Sequence, residues 1–227
     1  MRGKIALVTG ASRGFGFASA AAFGAAGAHV LALARTVGGL EELDDRIKAA
    51  GGEATLIPLD ICDDPGLARM GAAIYERWGR IDLWLHTALH TPPLQPVEHI
   101  DAMELDRSLA TNLRAFQRLI RVIDPLLRQA EAPVALIAAD DRTGAKFHGT
   151  YAAAKAAQSA FTRAWAAESG ARIAIAEVVP PPMPTAMRAR FHPGEDRAAL
   201  TPAEDVAARL MARLATGGIG SGERISL

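Results

Sequence analysis

Short apolar runs alternate with longer helical patterns from one end of this 227-residue chain to the other. Each run holds about four to eight aliphatic or β-branched residues, which is typical of strands covered on both faces of a parallel sheet. The segments between the runs are long enough for the helical crossovers that connect parallel strands. This alternation predicts an α/β fold with a doubly wound sheet of about seven parallel strands and helices on both faces.

The predicted strands are residues 4–8, 29–34, 53–59, 81–87, 134–139, 172–179 and 223–227. The predicted helices lie near residues 14–26, 39–50, 64–78, 99–129, 150–169 and 202–215. Neither an internal repeat nor a linker rich in proline, glycine or serine interrupts the pattern. We therefore expect residues 1–227 to form a single domain.

Composition argues against some classes of partner and indicates the compartment of the protein. The 25 basic and 25 acidic residues cancel to a net charge of zero, which argues against a nucleic-acid partner because such proteins carry a basic excess. The lone cysteine, Cys62, cannot form an internal disulfide, and no uncharged apolar stretch approaches the ~18 residues of a membrane span. The apolar run near the N-terminus is too short for a signal peptide. We expect a cytoplasmic protein without a membrane partner.

A glycine-rich loop follows the first predicted strand and reads Thr9-Gly10-Ala11-Ser12-Arg13-Gly14-Phe15-Gly16. Glycines at such a strand-to-helix turn let the backbone approach a pyrophosphate, and the N-terminus of the following helix adds a partial positive charge. Because the loop lies in the first strand–helix–strand unit, it favours dinucleotide binding. The sequence thus predicts a Rossmann-type domain whose cofactor contacts include Gly10, Ser12, Arg13, Gly14, Phe15 and Gly16.

The choice of cofactor depends on the end of the second predicted strand. An NAD site usually has an acidic residue there for the ribose 2′-hydroxyl, but this strand ends in Ala34 and Arg35. Together with Arg13, Arg35 would offer two guanidinium groups to a 2′-phosphate. NADP(H) is therefore favoured over NAD(H), while the alternative is that Arg35 only solvates the end of the strand.

Tyr151 and Lys155 lie four residues apart in a predicted helix, so both side chains face the same side. The phenol of tyrosine has an ordinary pKa of about 10, which is too high for a good base at neutral pH. A nearby ammonium group stabilises the phenolate and lowers that pKa towards the working range. The pair is a candidate acid/base centre.

The loop pattern Thr-Gly-x-x-x-Gly-x-Gly and the later Tyr151-Ala-Ala-Ala-Lys155 together resemble the short-chain dehydrogenase/reductase (SDR) family. The resemblance covers almost the whole chain in order. It implies a seven-stranded sheet and an oxidoreductase that interconverts a carbonyl and an alcohol on a small-molecule substrate. Tyr151 would exchange a proton with the substrate oxygen, and Lys155 would also bind the nicotinamide ribose. The family usually forms a homodimer or homotetramer through the helices near 99–129 and 150–169.

The resemblance adds further site residues. Asn112 is similar to the family's helix asparagine, which holds a water in the proton relay. Thr185 matches the threonine that approaches the nicotinamide carboxamide, and the pair Asp60-Ile61 matches residues beside the adenine ring. Two other cofactor-contacting motifs of the family are only partly present. The family's Asn-Asn-Ala-Gly reads His86-Thr87-Ala88-Leu89 in this chain, so only Ala88 is kept. The family's Pro-Gly reads Pro180-Pro181, so only Pro180 is kept.

The family's catalytic serine has no counterpart in the fifth predicted strand, where Ala138 or Ala139 stands in its place. A hydrogen-bond donor at such a site is worth about 10²–10³-fold in rate. Asp140 if protonated, Thr143 and His148 are the open candidates for a substitute. The departures favour an alternative function, a catalytically weak or inactive dinucleotide-binding protein that acts as a redox sensor or structural partner. The intact Tyr151, Lys155 and Asn112 favour the oxidoreductase, which is the function that we predict.

Three histidines, His86, His90 and His148, are expected near the mouth of the cleft. No carboxylate or cysteine spacing accompanies them, so we predict that they line the pocket and that the protein has no metal site.

Overall fold

The computed structural model describes residues 1–227 and contains one seven-stranded sheet in which every pairing is parallel. The strands are β1 (Ile5–Thr9), β2 (His29–Ala34), β3 (Glu53–Pro58), β4 (Leu83–His86), β5 (Val134–Ala138), β6 (Ala174–Val179) and β7 (Arg224–Ser226). Their spatial order is β3-β2-β1-β4-β5-β6-β7, so the predicted doubly wound sheet is confirmed.

Eight α-helices connect or flank these strands. They are α1 (Gly14–Ala25), α2 (Val37–Ala49), α3 (Asp64–Trp78), α4 (Ala102–Leu109), α5 (Ala115–Leu127), α6 (Gly149–Ser169), α7 (Ala186–Phe191) and α8 (Ala203–Ala215). None of the helices combines the length and the apolar composition that a membrane-spanning segment needs.

The inner strands of the sheet are buried on both faces, which explains their unbroken apolar sequences, whereas the edge strands β3 and β7 are partly exposed. Along β1, Ala6 and Val8 pack into a cluster with residues of α1, α2 and α8. Ile5 and Leu7 point the other way, into a cluster with residues of α3, α5 and α6. Alternating side chains of one strand thus serve two separate cores, as the two-layer covering of a parallel sheet requires.

The predicted helical stretch near 99–129 is confirmed for residues 102–127, although it is not a regular α-helix throughout. A short 3₁₀ turn (Val97–His99) precedes α4, and a π-turn (Ala110–Arg114) joins α4 to α5 without a break. A π-turn widens the helix locally, and apolar periodicity cannot distinguish it from regular helix. Helix α7 was not predicted, because its six residues are too few for a periodic pattern.

The order of the strands reverses direction between β1 and β4. Connections from β1 lead outward to β2 and β3, and the chain then returns to place β4 on the other side of β1. The loops that leave the carboxyl ends of β1 and β4 therefore diverge and open a crevice, which is where ligands bind in open sheets of this kind.

Asp82 joins the opposite, amino ends of the same two strands. Its buried carboxylate accepts hydrogen bonds from the Ile5 N–H at 2.9 Å, from Lys4 Nζ at 3.0 Å and from Arg80 Nε at 3.0 Å. Burial alone would raise the pKa of this carboxyl. The Ile5 hydrogen bond and the two cations outweigh that effect, so the pKa is lowered.

We predict that Asp82→Asn lowers the free energy of unfolding at pH 7 by about 1–3 kcal/mol, because the charged hydrogen bonds are lost. A carboxyl whose pKa is lower in the folded than in the unfolded protein stabilises the fold when the pH is above its unfolded-state pKa. That stabilisation is lost as the pH falls through the folded-state pKa. The difference in unfolding free energy between wild type and Asp82→Asn, measured with urea, should therefore shrink when the pH falls below the ordinary pKa of 3.8. Asp106→Asn, an exposed change on α4, is the control. A pH-independent difference would contradict the prediction.

Candidate active site

A cleft of about 580 Å³ opens at the carboxyl ends of the central strands. All the predicted cofactor contacts line it: Gly10, Ser12, Arg13, Gly14, Phe15, Gly16, Arg35, Asp60, Ile61, Ala88, Tyr151, Lys155, Pro180 and Thr185. Asn112 does not line the cleft, because its side chain is fully buried beneath it.

The glycine loop leaves no room for side chains at two of its positions. A Cβ on Gly10, whose φ is +90°, would lie 2.6 Å from the Ala88 backbone nitrogen. A Cβ on Gly16 would lie 2.4 Å from the Gly10 carbonyl oxygen. The backbone thus packs against backbone and leads directly into α1, whose N-terminus faces the cleft. This cradle fits a pyrophosphate group, since backbone and phosphate must approach closely.

The two predicted phosphate-binding arginines both line the cleft. Arg13 precedes α1 as its N-cap residue and makes no capping hydrogen bond with its side chain. Arg35 follows β2, and its NH1 atom lies 3.6 Å from Asp60 Oδ2. Both groups of that pair are about half exposed, so the ion pair is weak and Arg35 stays accessible to a ligand.

Tyr151 lies near the start of α6 and is almost completely buried. Its hydroxyl donates a hydrogen bond of 3.2 Å to Asp140 Oδ2, and Arg142 Nε lies 3.3 Å from both oxygens of that carboxylate. Burial, then the charge and hydrogen bond of Asp140, raise the pKa of the Tyr151 phenol well above its ordinary value, while Arg142 opposes the shift. In this arrangement Tyr151 is held as the neutral phenol.

Lys155 lies one turn further along α6, as the spacing of the two residues predicts. Its buried ammonium donates to the Ala138 carbonyl at 2.5 Å, and also to Gln158 Oε1. Burial lowers the pKa of Lys155 to about 8, although Asp140 and Glu177 act in the opposite direction. The carbonyl at the end of β5 thus holds the lysine at the floor of the cleft.

Asn112 lies in the π-turn between α4 and α5, where its side chain binds the loop that follows β4. The Asn112 Oδ1 atom accepts from the His90 N–H at 2.6 Å, while Nδ2 donates to the His90 carbonyl at 2.9 Å and to Ser108 Oγ at 3.2 Å. Its backbone carbonyl accepts a bond of 3.2 Å from Gln158 Nε2. The side chain therefore shapes the cleft wall, and the carbonyl connects to Lys155 through Gln158.

Only one of the three histidines lines the cleft. His90 does so and pairs with Glu104 at 3.0 Å. His86 is buried under the cleft against Thr9, and burial followed by the charge of Lys155 lowers its pKa to about 3. His148 is also buried, against Phe191. The prediction that all three line the pocket was therefore wrong for His86 and His148, because a histidine next to an apolar strand or helix can pack inward.

Of the three candidates for the serine's substitute, the structure brings Asp140 alone into contact with Tyr151. Thr143 lines a separate, smaller cavity of about 230 Å³, and the His148 ring binds the Lys146 carbonyl. Ala138 and Ala139 both line the cleft.

Sequence reasoning missed two polar residues in this network, Arg142 and Gln158. Gln158 could have been found, because it lies three residues after Lys155 on the same face of the helix, where i,i+3 side chains meet. Arg142 lies on an irregular loop, and no periodicity indicates where its side chain points.

A family model for short chain dehydrogenases matches residues 4–196. The chain belongs to the short-chain dehydrogenase family. Two solved structures of this kind superpose over the full chain. An oxidoreductase, yciK from Escherichia coli, is 25% identical with a TM-score of 0.92, and 95% of it is covered. A metagenomic short-chain oxidoreductase in complex with NADP is 26% identical with a TM-score of 0.82, and 98% of it is covered.

Two curated relatives are about a third identical to this chain over the aligned residues. The 3-oxoacyl-[acyl-carrier-protein] reductase FabG of Pseudomonas aeruginosa is 32% identical over 80% of this chain and 74% of its own length. A fatty acyl-CoA reductase of Acinetobacter baylyi is 31% identical over 74% of this chain. That match spans only 58% of the relative's own length.

The contact between Asp140 and Tyr151 gives a test of the site's electrostatics. We predict that Asp140→Asn lowers the pH at which Tyr151 ionises, because a neutral amide no longer repels the phenolate. The chain has two tyrosines, and the exposed Tyr75 can be changed to phenylalanine so that absorbance at tyrosinate wavelengths reports Tyr151 alone. Asp141→Asn in the same background is the matched control. Identical titration curves for Asp140→Asn and the control would contradict the prediction.

Proposed function

We propose that this protein is an NADP(H)-dependent oxidoreductase that interconverts a carbonyl and an alcohol on a small-molecule substrate, with Tyr151 as the acid/base. The observation that carries the proposal is the joint position of Tyr151 and Lys155 in the cleft that begins at the glycine cradle. Family membership supports the oxidoreductase class, and a structural relative was solved in complex with NADP.

We assign a separate role to each group of residues that lines the cleft. Gly10, Ser12, Gly14, Phe15 and Gly16 would hold the pyrophosphate, and Asp60 with Ile61, Ala88, Pro180 and Thr185 would contact the rest of the cofactor. The bound nicotinamide supplies the hydride chemistry. Tyr151 would give its phenolic proton to the substrate oxygen during reduction and take one back during oxidation. Lys155, the activator, would stabilise the phenolate and bind the ribose.

The preference for NADP(H) rests on Arg13 and Arg35. No acidic residue follows Ala34 at the end of β2, and the carboxylate of Asp60 is engaged with Arg35 instead. The exposed guanidinium groups suit a 2′-phosphate, which accepts several charged hydrogen bonds.

Asp140 takes the place of the family's serine in this proposal. Ala138 and Ala139 carry no hydrogen-bond donor in their side chains, and Asp140 is the polar residue that contacts Tyr151. An ionised carboxylate would repel a developing oxyanion, so Asp140 would help only when protonated. Otherwise we expect weak activity on simple ketones, or activity on substrates that bring an anchoring group of their own.

The second candidate function is a dinucleotide-binding protein with little or no turnover, such as a redox sensor or a structural partner. The hydrogen bond from Tyr151 to Asp140 favours it, because the phenolic proton is directed away from a substrate and the phenolate is disfavoured. Under either function we propose a cytoplasmic homodimer or homotetramer without a metal.

We predict that NADPH binds about tenfold or more tightly than NADH, because a phosphate–arginine contact adds charged hydrogen bonds. Fluorescence titration of both nucleotides measures the ratio. Arg35→Ala should bring the two affinities together, whereas Arg46→Ala, an exposed change on α2 away from the cleft, should leave the ratio unchanged. Equal affinities in wild type would contradict the assignment of Arg13 and Arg35.

Steady-state turnover over a panel of carbonyl compounds tests the role of Tyr151. Tyr151→Phe should lower kcat by about 10²-fold or more, because the acid/base group is removed while the ring still fills its site. Tyr75→Phe, on the exposed face of α3, should keep full activity. If Tyr151→Phe stays active, the acid/base assignment is wrong. If wild type binds NADPH but turns over no compound of the panel, the second candidate function is favoured.

A further inference from the structure

The side chain of Gln158 fills the space between Asn112 and Lys155. Its Oε1 atom accepts a hydrogen bond from the Lys155 ammonium, and its Nε2 atom donates to the Asn112 carbonyl at 3.2 Å. Only 2% of Gln158 is exposed, and both Gln158 and Lys155 also line the smaller cavity of about 230 Å³. A continuous polar chain thus runs from the π-turn through Gln158 and Lys155 to the end of β5.

The orientation of the Gln158 amide follows from its partners. An ammonium group only donates hydrogen bonds, and a backbone carbonyl only accepts them. The oxygen of the amide must therefore face Lys155 and its nitrogen must face Asn112, and the opposite orientation would lose both bonds. Each end of the amide is matched to one partner.

These contacts direct the remaining donor of Lys155. An ammonium group has three hydrogens, and two of them point to the Ala138 carbonyl and to Gln158. The third is left for the cleft, which Lys155 lines together with Tyr151. Without Gln158, the buried ammonium would lose an acceptor and its side chain would be free to turn.

We propose that Gln158 is a positioning residue for Lys155: its amide links the ammonium to the Asn112 carbonyl and holds it in place. The catalytic consequence rests on the proposed function, but the positioning itself does not.

Titration of the lysine side chains by NMR in the cofactor-free protein tests the positioning. The chain contains only four lysines, Lys4, Lys48, Lys146 and Lys155, so isotope-labelled lysine gives a readable spectrum. Lys155→Arg assigns the signal by its disappearance. The variants are Gln158→Met, Gln158→Glu and Gln158→Ala, with Thr162→Val as the control. Thr162 is equally buried one turn further along α6, and its hydroxyl binds the Gln158 carbonyl rather than Lys155.

Each variant has its own expected shift. Gln158→Met keeps the volume but removes the acceptor, so the measured pKa of Lys155 should fall by about one unit or more. Gln158→Glu places a carboxylate beside the ammonium and should raise the pKa of Lys155 by about one unit or more. Gln158→Ala opens room for a water, which restores an acceptor, so the pKa of Lys155 should lie closer to wild type in this variant than in Gln158→Met. Thr162→Val should match wild type.

Two results would overturn the proposal. If Gln158→Met and Gln158→Glu both leave Lys155 within about 0.3 unit of wild type, Gln158 does not position the lysine. If Gln158→Met raises the pKa of Lys155 instead of lowering it, the amide does not act on the lysine as a hydrogen-bond acceptor. If the methionine variant does not fold, the rise expected for Gln158→Glu decides the first test, and a Lys155 pKa within about 0.3 unit of wild type overturns the proposal.

The pH dependence of kcat/KM tests whether the positioning matters for catalysis. In each variant, the apparent pKa that Lys155 contributes to this profile should shift in the same direction as the Lys155 pKa measured by NMR. A purely structural role of Gln158 would not produce such a shift. Absence of turnover in wild type would count against the proposed function alone, since the titration of the cofactor-free protein still decides the role of Gln158.

Discussion

The close approach of the loop after β1 to the chain after β4 is the constraint on which the rest of the site depends. Gly10 packs against the Ala88 backbone and Gly16 packs against the Gly10 carbonyl, so side chains are excluded from both positions. The contact occurs where the strand order reverses, and the two loops then part to form the cleft. Helix α1 can begin directly at the cleft only because this turn is so tight.

The second determinant is a buried polar network rather than a single pair of residues. It joins the carboxyl end of β5, helix α6, the π-turn at Asn112 and the loop that contains His90. Each buried polar group in this path has a partner, as the low dielectric of the interior requires. Burial lowers the pKa of Lys155 only to about 8, because the charges of Asp140 and Glu177 oppose the effect of burial.

The charge of Asp140 favours the protonated form of both Tyr151 and Lys155. The lysine donates its hydrogen bonds to neutral acceptors, whereas the tyrosine donates to Asp140 itself, whose ion pair with Arg142 only partly offsets the effect of the carboxylate on the phenol. A hydroxyl at this position would act on a substrate oxygen as a donor, but a carboxylate competes with the substrate for the phenolic proton. The balance between turnover and mere nucleotide binding therefore depends on Asp140, and this residue separates the two functions proposed for the chain.

The sequence by itself determined the sheet, the glycine cradle and the placement of Tyr151 and Lys155 on one helix beside the cleft, because local periodicity and spacing along one helix decide these features. The π-turn inside 99–129, the inward packing of His86 and His148, and the roles of Asp140 and Gln158 were decided only by the tertiary structure. These features depend on which side chains meet from elements far apart in the chain. Asn112 and Gln158 are 46 residues apart, and their contact exists only because α6 packs beside the π-turn. No local pattern encodes a hydrogen bond of that kind.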